Sequence, residues 1–220
     1  MPNWEWRVFS PASPSSSLPS EMWSLIGVSP ASREPDRTDV YLTCTPGAGL
    51  KLRYGAEVEI KLRQATVSDG TEAWKKVVST TLPRGIDSQD QVAVGDVFKR
   101  ELIRLQPKTA KSGLKESLEE ALSALSTAQQ FVTIKKSRIK KRTFRLDVDS
   151  VEETIVSVSV GGEAVTVWRS VCLEASQSEA INKTLAMMVT PEGHETISLR
   201  DYLMTSGTVE AYPLFIMHRT

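Results

Sequence analysis

The alternation of charged and apolar residues between positions 51 and 63 constrains the fold of this chain more than any other feature. The charged side chains are all odd-numbered, namely Lys51, Arg53, Glu57, Glu59, Lys61 and Arg63. The apolar ones are even-numbered, namely Leu52, Val58, Ile60 and Leu62. Because side chains alternate between the two faces of a β-strand, this pattern predicts two strands, joined by a turn at Gly55, with one charged and one apolar face.

The charged face has two interpretations. It is either the solvated outer face of an antiparallel sheet or the inner face of a closed barrel. Similar same-face charges recur along the chain, as Glu5/Arg7, Glu72/Lys76 and Lys136/Arg138/Lys140/Arg142. This recurrence favours a barrel whose inward faces form a tunnel lined by bases and a few acids. Outward charges would instead make the chain a plain interaction domain.

The remaining segments predict further strands and helices around such a barrel. Strands are predicted near residues 4–9, 39–64, 72–80, 131–148, 154–160, 164–174 and 212–217, with a hairpin turn at 161–162. Helices are predicted near 21–26, 112–130 and 178–188, with a helical turn near 199–204. Residues 10–20 form a Ser/Pro-rich surface loop, and 81–95 carry loop signals. The prediction is one α+β domain over residues 1–220, with a closed or nearly closed antiparallel β-barrel of about eight strands and flanking helices.

Composition excludes several classes of function. Lysine plus arginine and aspartate plus glutamate both number 27, so no global field draws the chain to nucleic acid or to a membrane surface. The basic run 135–142 could form a nucleic-acid patch, but its strand context favours a wall that is partly tunnel and partly solvated. No apolar stretch approaches the ~20 residues of a membrane span, which predicts a soluble, cytoplasmic protein. The sequence gives no indication of oligomeric state.

The few cysteines and histidines argue against several kinds of site. Cys44 and Cys172 lack the spacing of a metal site or of a disulfide framework. His194 and His218 have no evident orienting partner, so histidine-based catalysis is not predicted.

A tunnel lined by bases and acids suits one kind of ligand. Lysine and arginine side chains bind phosphate oxygens, and carboxylates hold a divalent cation that bridges those oxygens. Because the ligands on offer are hard oxygens, Mg²⁺ or Mn²⁺ fits better than Zn²⁺. The predicted ligand is therefore a triphosphate-containing small molecule or an inorganic polyphosphate.

Seven short motifs carry a resemblance to a known family. In chain order they are Asn3-x-Glu5-x-Arg7, Asp39-Val-Tyr41, Leu50-Lys51-Leu-Arg53, Val58-Glu59-Ile60-Lys61, Lys136-Ser-Arg138, Asp147 or Asp149, and Cys172-Leu-Glu174. This order resembles that of the CYTH, or triphosphate tunnel metalloenzyme, superfamily, of which the chain looks like a divergent member.

The resemblance implies a role for each matching residue. The implied phosphate-binding residues are Arg7, Lys51, Arg53, Lys61, Lys136 and Arg138. The implied metal ligands, for Mg²⁺ or Mn²⁺, are Glu5, Glu59 and Glu174, and the implied catalytic residues are Glu5, Glu59 and Lys61. Asn3 and Cys172 stand where the family has carboxylates, which weakens the metal site. Two functions follow, a metal-dependent phosphohydrolase and a non-catalytic anion-binding module with the same fold.

Overall fold

The structure is a computed structural model that describes residues 3–13, 15–30, 32–109, 113–125, 130–143, 146–160, 165–205 and 207–217. Its long strands are β1 (Asn3–Pro11), β2 (Arg37–Thr45), β3 (Ala48–Arg53), β4 (Glu57–Thr66), β5 (Glu72–Thr81), β6 (Gln130–Arg142), β7 (Ser150–Val160) and β8 (Thr166–Ala175). Three two-residue strands follow, namely β9 (Met188–Val189), β10 (Ile197–Ser198) and β11 (Thr208–Val209). The helices are α1 (Met22–Leu25), α2 (Gln91–Thr109), α3 (Lys115–Ala124), α4 (Ser178–Leu185), α5 (Leu199–Met204) and α6 (Tyr212–Met217).

The eight long strands close into an antiparallel barrel. Their order is β1-β5-β4-β3-β2-β6-β7-β8, and β8 pairs again with β1 along most of its length, from Trp4↔Ala175 to Pro11↔Trp168. Closure pairs each of these strands with a neighbour on both sides, although the β1–β5 contact is limited to three residue pairs. The predicted eight-stranded barrel with flanking helices is confirmed.

The apolar strand faces point outward and pack beneath helices. On β3 and β4, Leu52, Val58 and Ile60 are almost fully buried in a cluster that includes Phe98 of α2 and Leu118 of α3. A second cluster covers the outer face of β1, β7 and β8 with α1, α4 and α5. With both outer faces covered by apolar side chains, the charged faces of the same strands lie inside the barrel.

The seam beside β1 is completed by residues from far along the chain. On the side opposite β8, β1 pairs with β5 only at residues 3–5, and its end pairs with β11 through Val8↔Val209 and Phe9↔Thr208. The chain then enters α6, which occupies one end of the barrel. The ring of Phe215 stacks on that of Phe9, with 3.8 Å between centroids, and Trp168 meets Phe215 edge-on at 5.4 Å.

This end of the barrel interior is apolar, and it is called the floor below. The floor comprises Phe9, Tyr41, Val132, Ile134, Val156, Val158, Phe215 and Ile216. All eight side chains are at most 4% exposed. The floor divides the barrel interior into an apolar end, filled by α6, and a charged remainder.

Several local predictions are wrong. Residues 212–217 form helix α6 rather than a last strand, and α2 occupies a segment that was not predicted to be helical although Val94, Val97 and Leu102 are buried at helical spacing. Strand β6 ends at Arg142 rather than near residue 148. The α4 helix ends at Leu185, and Met188 lies in β9 with 63% of its surface exposed.

Other local predictions are confirmed or untested. Helix α1, helix α5 and the turn at Gly55 with its positive φ of 67° are as predicted, but β1 continues through Ser10 and Pro11, which were predicted to lie in the loop. The predicted hairpin turn at 161–162 and residues 112 and 126–129 of the predicted helix lie outside the described residues, whereas Gln130, predicted as the end of that helix, begins β6. No helix in the described part of the chain combines the length and apolarity required to cross a membrane.

Candidate functional site

The charged part of the barrel interior encloses a cavity of about 340 Å³. Its basic lining residues are Arg7, Arg37, Lys51, Arg53, Lys61, Lys136, Arg138 and Lys140, and its acidic ones are Glu5, Glu59, Glu152 and Glu174. Among the described residues, the acids that line the cavity thus fall short of the bases by four. The fully buried Asp39, behind the lining, reduces this shortfall to three.

The strand alternation accounts for the meeting of these side chains. All nine residues that the sequence singled out for binding, metal or catalysis line the cavity, namely Glu5, Arg7, Lys51, Arg53, Glu59, Lys61, Lys136, Arg138 and Glu174. The interpretation of an open sheet with outward charges is therefore wrong. The roles given to these residues remain predictions, because position alone does not assign a function.

Three basic residues form the layer next to the floor, called the basal layer below. Arg7 and Lys136 each lie two residues along their strand from a floor residue, Phe9 and Ile134 respectively. Lys51 lies two residues from Gly49, which is next to Pro213 of α6. Each of the three bases is at most 8% exposed. Arg7 donates to Ser170 Oγ at 2.9 Å and to Glu152 Oε1 at 3.2 Å. Basic side chains so withdrawn from water require nearby negative charge.

Burial lowers the pKa values of both lysines of the basal layer. Burial lowers the pKa of Lys51 to about 8, although Glu59 at 2.6 Å acts in the opposite direction. Burial also lowers the pKa of Lys136 well below its usual value, and repulsion from Lys51 adds to this shift against the attraction of Asp39. Lys136 Nζ lies 3.1 Å from Asp39 and 2.9 Å from the Tyr41 hydroxyl. An anion in the cavity would relieve this repulsion.

Two buried carboxylates are held ionised by the bases around them. Burial alone would raise the pKa of Glu59, but Lys51, Lys76 and Arg53 overcome it and lower the value to about 2. Burial likewise opposes ionisation of Glu152, whose pKa falls to about 2 because Arg7 and Lys140 outweigh that effect. Both acids are therefore negatively charged at neutral pH.

A third acid, Glu5, pairs with a lysine of β4. Lys61 Nζ donates to Glu5 Oε1 at 2.8 Å. Burial raises the pKa of Glu5, but Lys61 and Arg7 reverse the effect and leave the pKa below its usual value. Glu5 in turn raises the pKa of Lys61 above its usual range. Glu174 forms a comparable pair with Lys140 and also accepts a hydrogen bond from Ser150 Oγ at 2.9 Å.

One group of side chains in the charged part of the barrel interior, called the lumen from here on, could hold a metal ion. Ligand atoms of Glu5, Cys172 and Glu174 all lie within 4.8 Å of one another. The two carboxylates fit Mg²⁺ or Mn²⁺, which commonly takes one or two protein carboxylates and completes its coordination with phosphate oxygens and water. Burial raises the pKa of the Cys172 thiol well above its usual value, so it offers no thiolate. Glu59 was predicted as a third metal ligand but lies outside this group.

Sequence reasoning missed or misplaced some lumen residues. Glu152 was missed because Glu153 follows it and hides the alternation; Glu153 faces outward and accepts from Trp23 Nε1 at 2.7 Å. Asp147 and Asp149, proposed as the acid of this region, are exposed on the preceding turn. Asn3 does not line the cavity. Arg37 was missed because it precedes the predicted strand.

The chain matches no sequence profile of a known protein family, and a search among curated proteins finds no significant similarity. The fold and the lumen define a closed antiparallel β-barrel with a charged, mostly basic interior and a group of residues that could bind a metal.

Proposed function

We propose that the protein is a divergent triphosphate tunnel phosphohydrolase of the CYTH type, which binds the phosphate chain of a triphosphate-containing small molecule or of inorganic polyphosphate in its lumen. The observation that carries the proposal is the excess of bases over acids in a cavity of about 340 Å³. An excess of buried basic groups over acidic ones is costly unless an anion binds among them. A short phosphate chain supplies several negative charges in a narrow shape.

Different residues of the lumen bind different parts of the phosphate chain. The basal layer and Lys61 contact phosphate oxygens from several strands, and Arg53 and Arg138 contact them nearer solvent. Arginine side chains bind two oxygens of one phosphate with a planar fork, and lysine acts as a point charge. Because these donors are carried on barrel strands, the phosphate chain is positioned without rearrangement of the backbone.

The carboxylates of Glu5 and Glu174 suit a divalent cation bound beside the phosphate chain. When bound, Mg²⁺ or Mn²⁺ would polarise the transferred phosphoryl group. Glu5 and Glu174 would hold the ion, and Lys61 and Lys140, which contact those carboxylates here, would turn toward phosphate oxygens. Lys61 thereby links the metal site to the phosphate site, which supports its predicted importance.

The second candidate is a binding module without turnover. It is favoured by the donor set of the metal site, because Cys172 occupies a position where a carboxylate would add charge. In addition, each of Glu5, Glu59, Glu152 and Glu174 lies within 4.0 Å of a base. Loss of a metal ligand depresses turnover more than it depresses anion affinity.

The test measures phosphate release and thermal stabilisation with tripolyphosphate, thiamine triphosphate and ATP, each with Mg²⁺ or Mn²⁺. A Lys61→Ala variant removes a lumen base. Lys183→Ala is the matched control, because Lys183 pairs with Asp147 at 2.9 Å on the exposed surface. Turnover lost in Lys61→Ala alone supports the hydrolase, and stabilisation without turnover supports the binding module. If none of the three compounds gave either phosphate release or thermal stabilisation, both candidate functions would be refuted.

A further inference from the structure

The two ends of the lumen differ in a way that limits how a phosphate chain can enter. Along β6, the exposed fraction of the side chain rises from 3% at Lys136 to 20% at Arg138 and 30% at Lys140. The charged wall therefore opens to solvent at the end that carries Arg138 and Lys140, called the mouth below. In the opposite direction along the same strand, Ile134 and Val132 are fully buried in the floor.

The floor is closed by the C-terminal segment rather than by the barrel strands alone. Phe215 and Ile216 of α6 are at most 1% exposed and pack among the inward side chains of β1, β2, β6 and β7. Pro213 reaches the cavity itself, where its Cγ would lie 3.5 Å from a Cβ placed on Gly49. The pairing of β11 with β1 and the hydrogen bond from Glu210 N to Arg7 O, at 3.1 Å, fix this segment to the wall.

An apolar floor stops a charged chain at a defined depth. Moving an ionised phosphate among phenylalanine and valine side chains would remove its hydration without providing hydrogen-bond donors, which is strongly unfavourable. The last favourable position for a phosphate is therefore beside the basal layer, where Arg7, Lys51 and Lys136 surround it. A chain that enters at the mouth ends there.

The size of the cavity disfavours entry of a phosphate chain by its middle. Its volume of about 340 Å³ lies near the lower end of the range of ~300–1,000 Å³ that is typical of small-molecule sites. A bent phosphate chain would have to place two of its charged segments side by side in this space, where their phosphates would repel each other. A single segment that enters by its end avoids that repulsion.

From this geometry we propose that the lumen binds phosphate chains only by a terminus, with the terminal phosphate seated on the basal layer, and that α6 prevents a chain from passing through the barrel. The proposal rests on the proposed function in one respect, that phosphate chains bind in the lumen. It adds that the ligand is recognised by its free end. A linear chain of any length therefore binds at most two protein molecules, one at each end.

The experiment counts protein molecules bound per chain by sedimentation or light scattering, using linear inorganic polyphosphates of short, intermediate and long defined length. The expected ratio saturates at two for every chain that exceeds the depth of two lumens. A polyphosphate whose two terminal phosphates are blocked by amidation is the matched probe, and its affinity is expected to fall by at least about tenfold. A ratio that grows with chain length, or full affinity for the blocked chain, would overturn terminal binding.

A variant tests the role of α6. In Phe215→Ala/Ile216→Ala the floor loses its two buried α6 side chains, and the ratio on the long chain is expected to rise above two as chains thread through. Phe98→Ala is the control, because Phe98 is equally buried but belongs to α2, which packs on the outside of the barrel. A ratio that stays at two in a folded floor variant would overturn the role of α6.

The two proposals fail in different ways. Absence of tripolyphosphate binding to the wild-type protein would refute the proposed function and terminal binding together. Binding of tripolyphosphate with equal affinity for blocked and unblocked long chains would refute only terminal binding.

Discussion

At the scale of single residues, the lumen is a set of ion pairs in which the bases outnumber the acids. The alternation in β3 and β4 predicted which side chains share a face, and that part of the site could be found from sequence. The pairings could not, because Glu5 and Lys61 meet across 56 positions of sequence and only barrel closure brings them within 2.8 Å. Glu152 was likewise hidden, since the charge next to it in sequence faces the opposite side of β7.

The lowered pKa of Lys51 predicts that affinity for tripolyphosphate depends on pH. In the unliganded protein Lys51 loses its proton as pH rises through about 8. A bound anion raises that pKa, so binding takes up a proton above this pH, and affinity is expected to fall by up to about tenfold per pH unit until the bound form also titrates. Calorimetric titration across this range measures the effect.

Lys51→Arg supplies the control for this pH dependence. Arginine keeps its charge throughout the range, so the part of the slope that Lys51 causes should disappear. An unchanged slope in the arginine variant would contradict the assignment to Lys51.

Glu59→Gln should lower stability and increase the benefit of a bound anion. The substitution leaves Lys51, Arg53 and Lys76 without the carboxylate that they share, and breaking a buried ion pair in this way typically costs about 3–5 kcal/mol. Tripolyphosphate should restore part of this loss, so its upward shift of the melting temperature is expected to be larger in the variant than in wild type.

The matched control is Glu119→Gln. Glu119 forms an exposed pair with Lys115 at 3.7 Å, which is worth at most about 1 kcal/mol. A wild-type melting temperature for Glu59→Gln, or equal stabilisation of both variants by the anion, would refute the electrostatic account of the lumen.

At the scale of secondary-structure elements, the least predictable part was the C-terminal segment. A short apolar run such as residues 212–217 has no periodicity that separates a strand from a helix. In the structure the neighbouring residues Phe215 and Ile216 are both buried, which a strand with one covered face would not allow. The end of the barrel selects the helix, and that environment is visible only after the strands have closed.

Gly207→Ala should loosen the attachment of β11 and α6. A Cβ at this position would lie 2.4 Å from Val8 Cγ2 and 3.1 Å from the carbonyl oxygens of Phe9 and Leu203. Relieving such overlap requires β11 to move away from β1, at an expected cost of about 1–3 kcal/mol. Thermal melting measures the cost, and limited proteolysis should show faster cleavage near the C-terminal segment.

Gly113→Ala is the control for that substitution. The nearest atom to a Cβ at Gly113 is Gln64 Cγ at 3.9 Å, so the methyl group meets no overlap. Its effect should stay within about 0.5 kcal/mol. If both variants melted alike, a Cβ at position 207 would be accommodated without displacing β11, and the prediction would be wrong.

At the scale of the whole molecule, the excess of basic groups is confined to the barrel interior. The chain has no formal net charge, yet the bases lining the cavity exceed the acids by four. Composition predicted the neutral total and the absence of a global field, and the closed barrel accounts for the local excess. Attraction of an anion therefore acts over the short distance near the mouth, within the ~8–10 Å over which salt leaves charges unscreened.

The ionised carboxylates of the lumen predict acid sensitivity of the whole fold. Glu59 and Glu152 have folded-state pKa values of about 2 against an ordinary value of 4.5. Their contribution to the free energy of unfolding is therefore complete above pH 4.5 and is lost as pH falls toward 2. Urea denaturation at a series of pH values should show stability that declines by several kcal/mol through this window. A flat profile would contradict the low pKa values.

The pairing of β1 with β8 has a consequence for synthesis on the ribosome. The first strand emerges early, but its partner register, from Trp4↔Ala175 to Pro11↔Trp168, requires a stretch that is translated more than 150 residues later. At a typical elongation rate that interval is on the order of ten seconds or more. Throughout it the nascent chain presents the aromatic strand Asn3–Pro11 without its full set of neighbours, so its unpaired backbone groups are open to non-native pairing during synthesis.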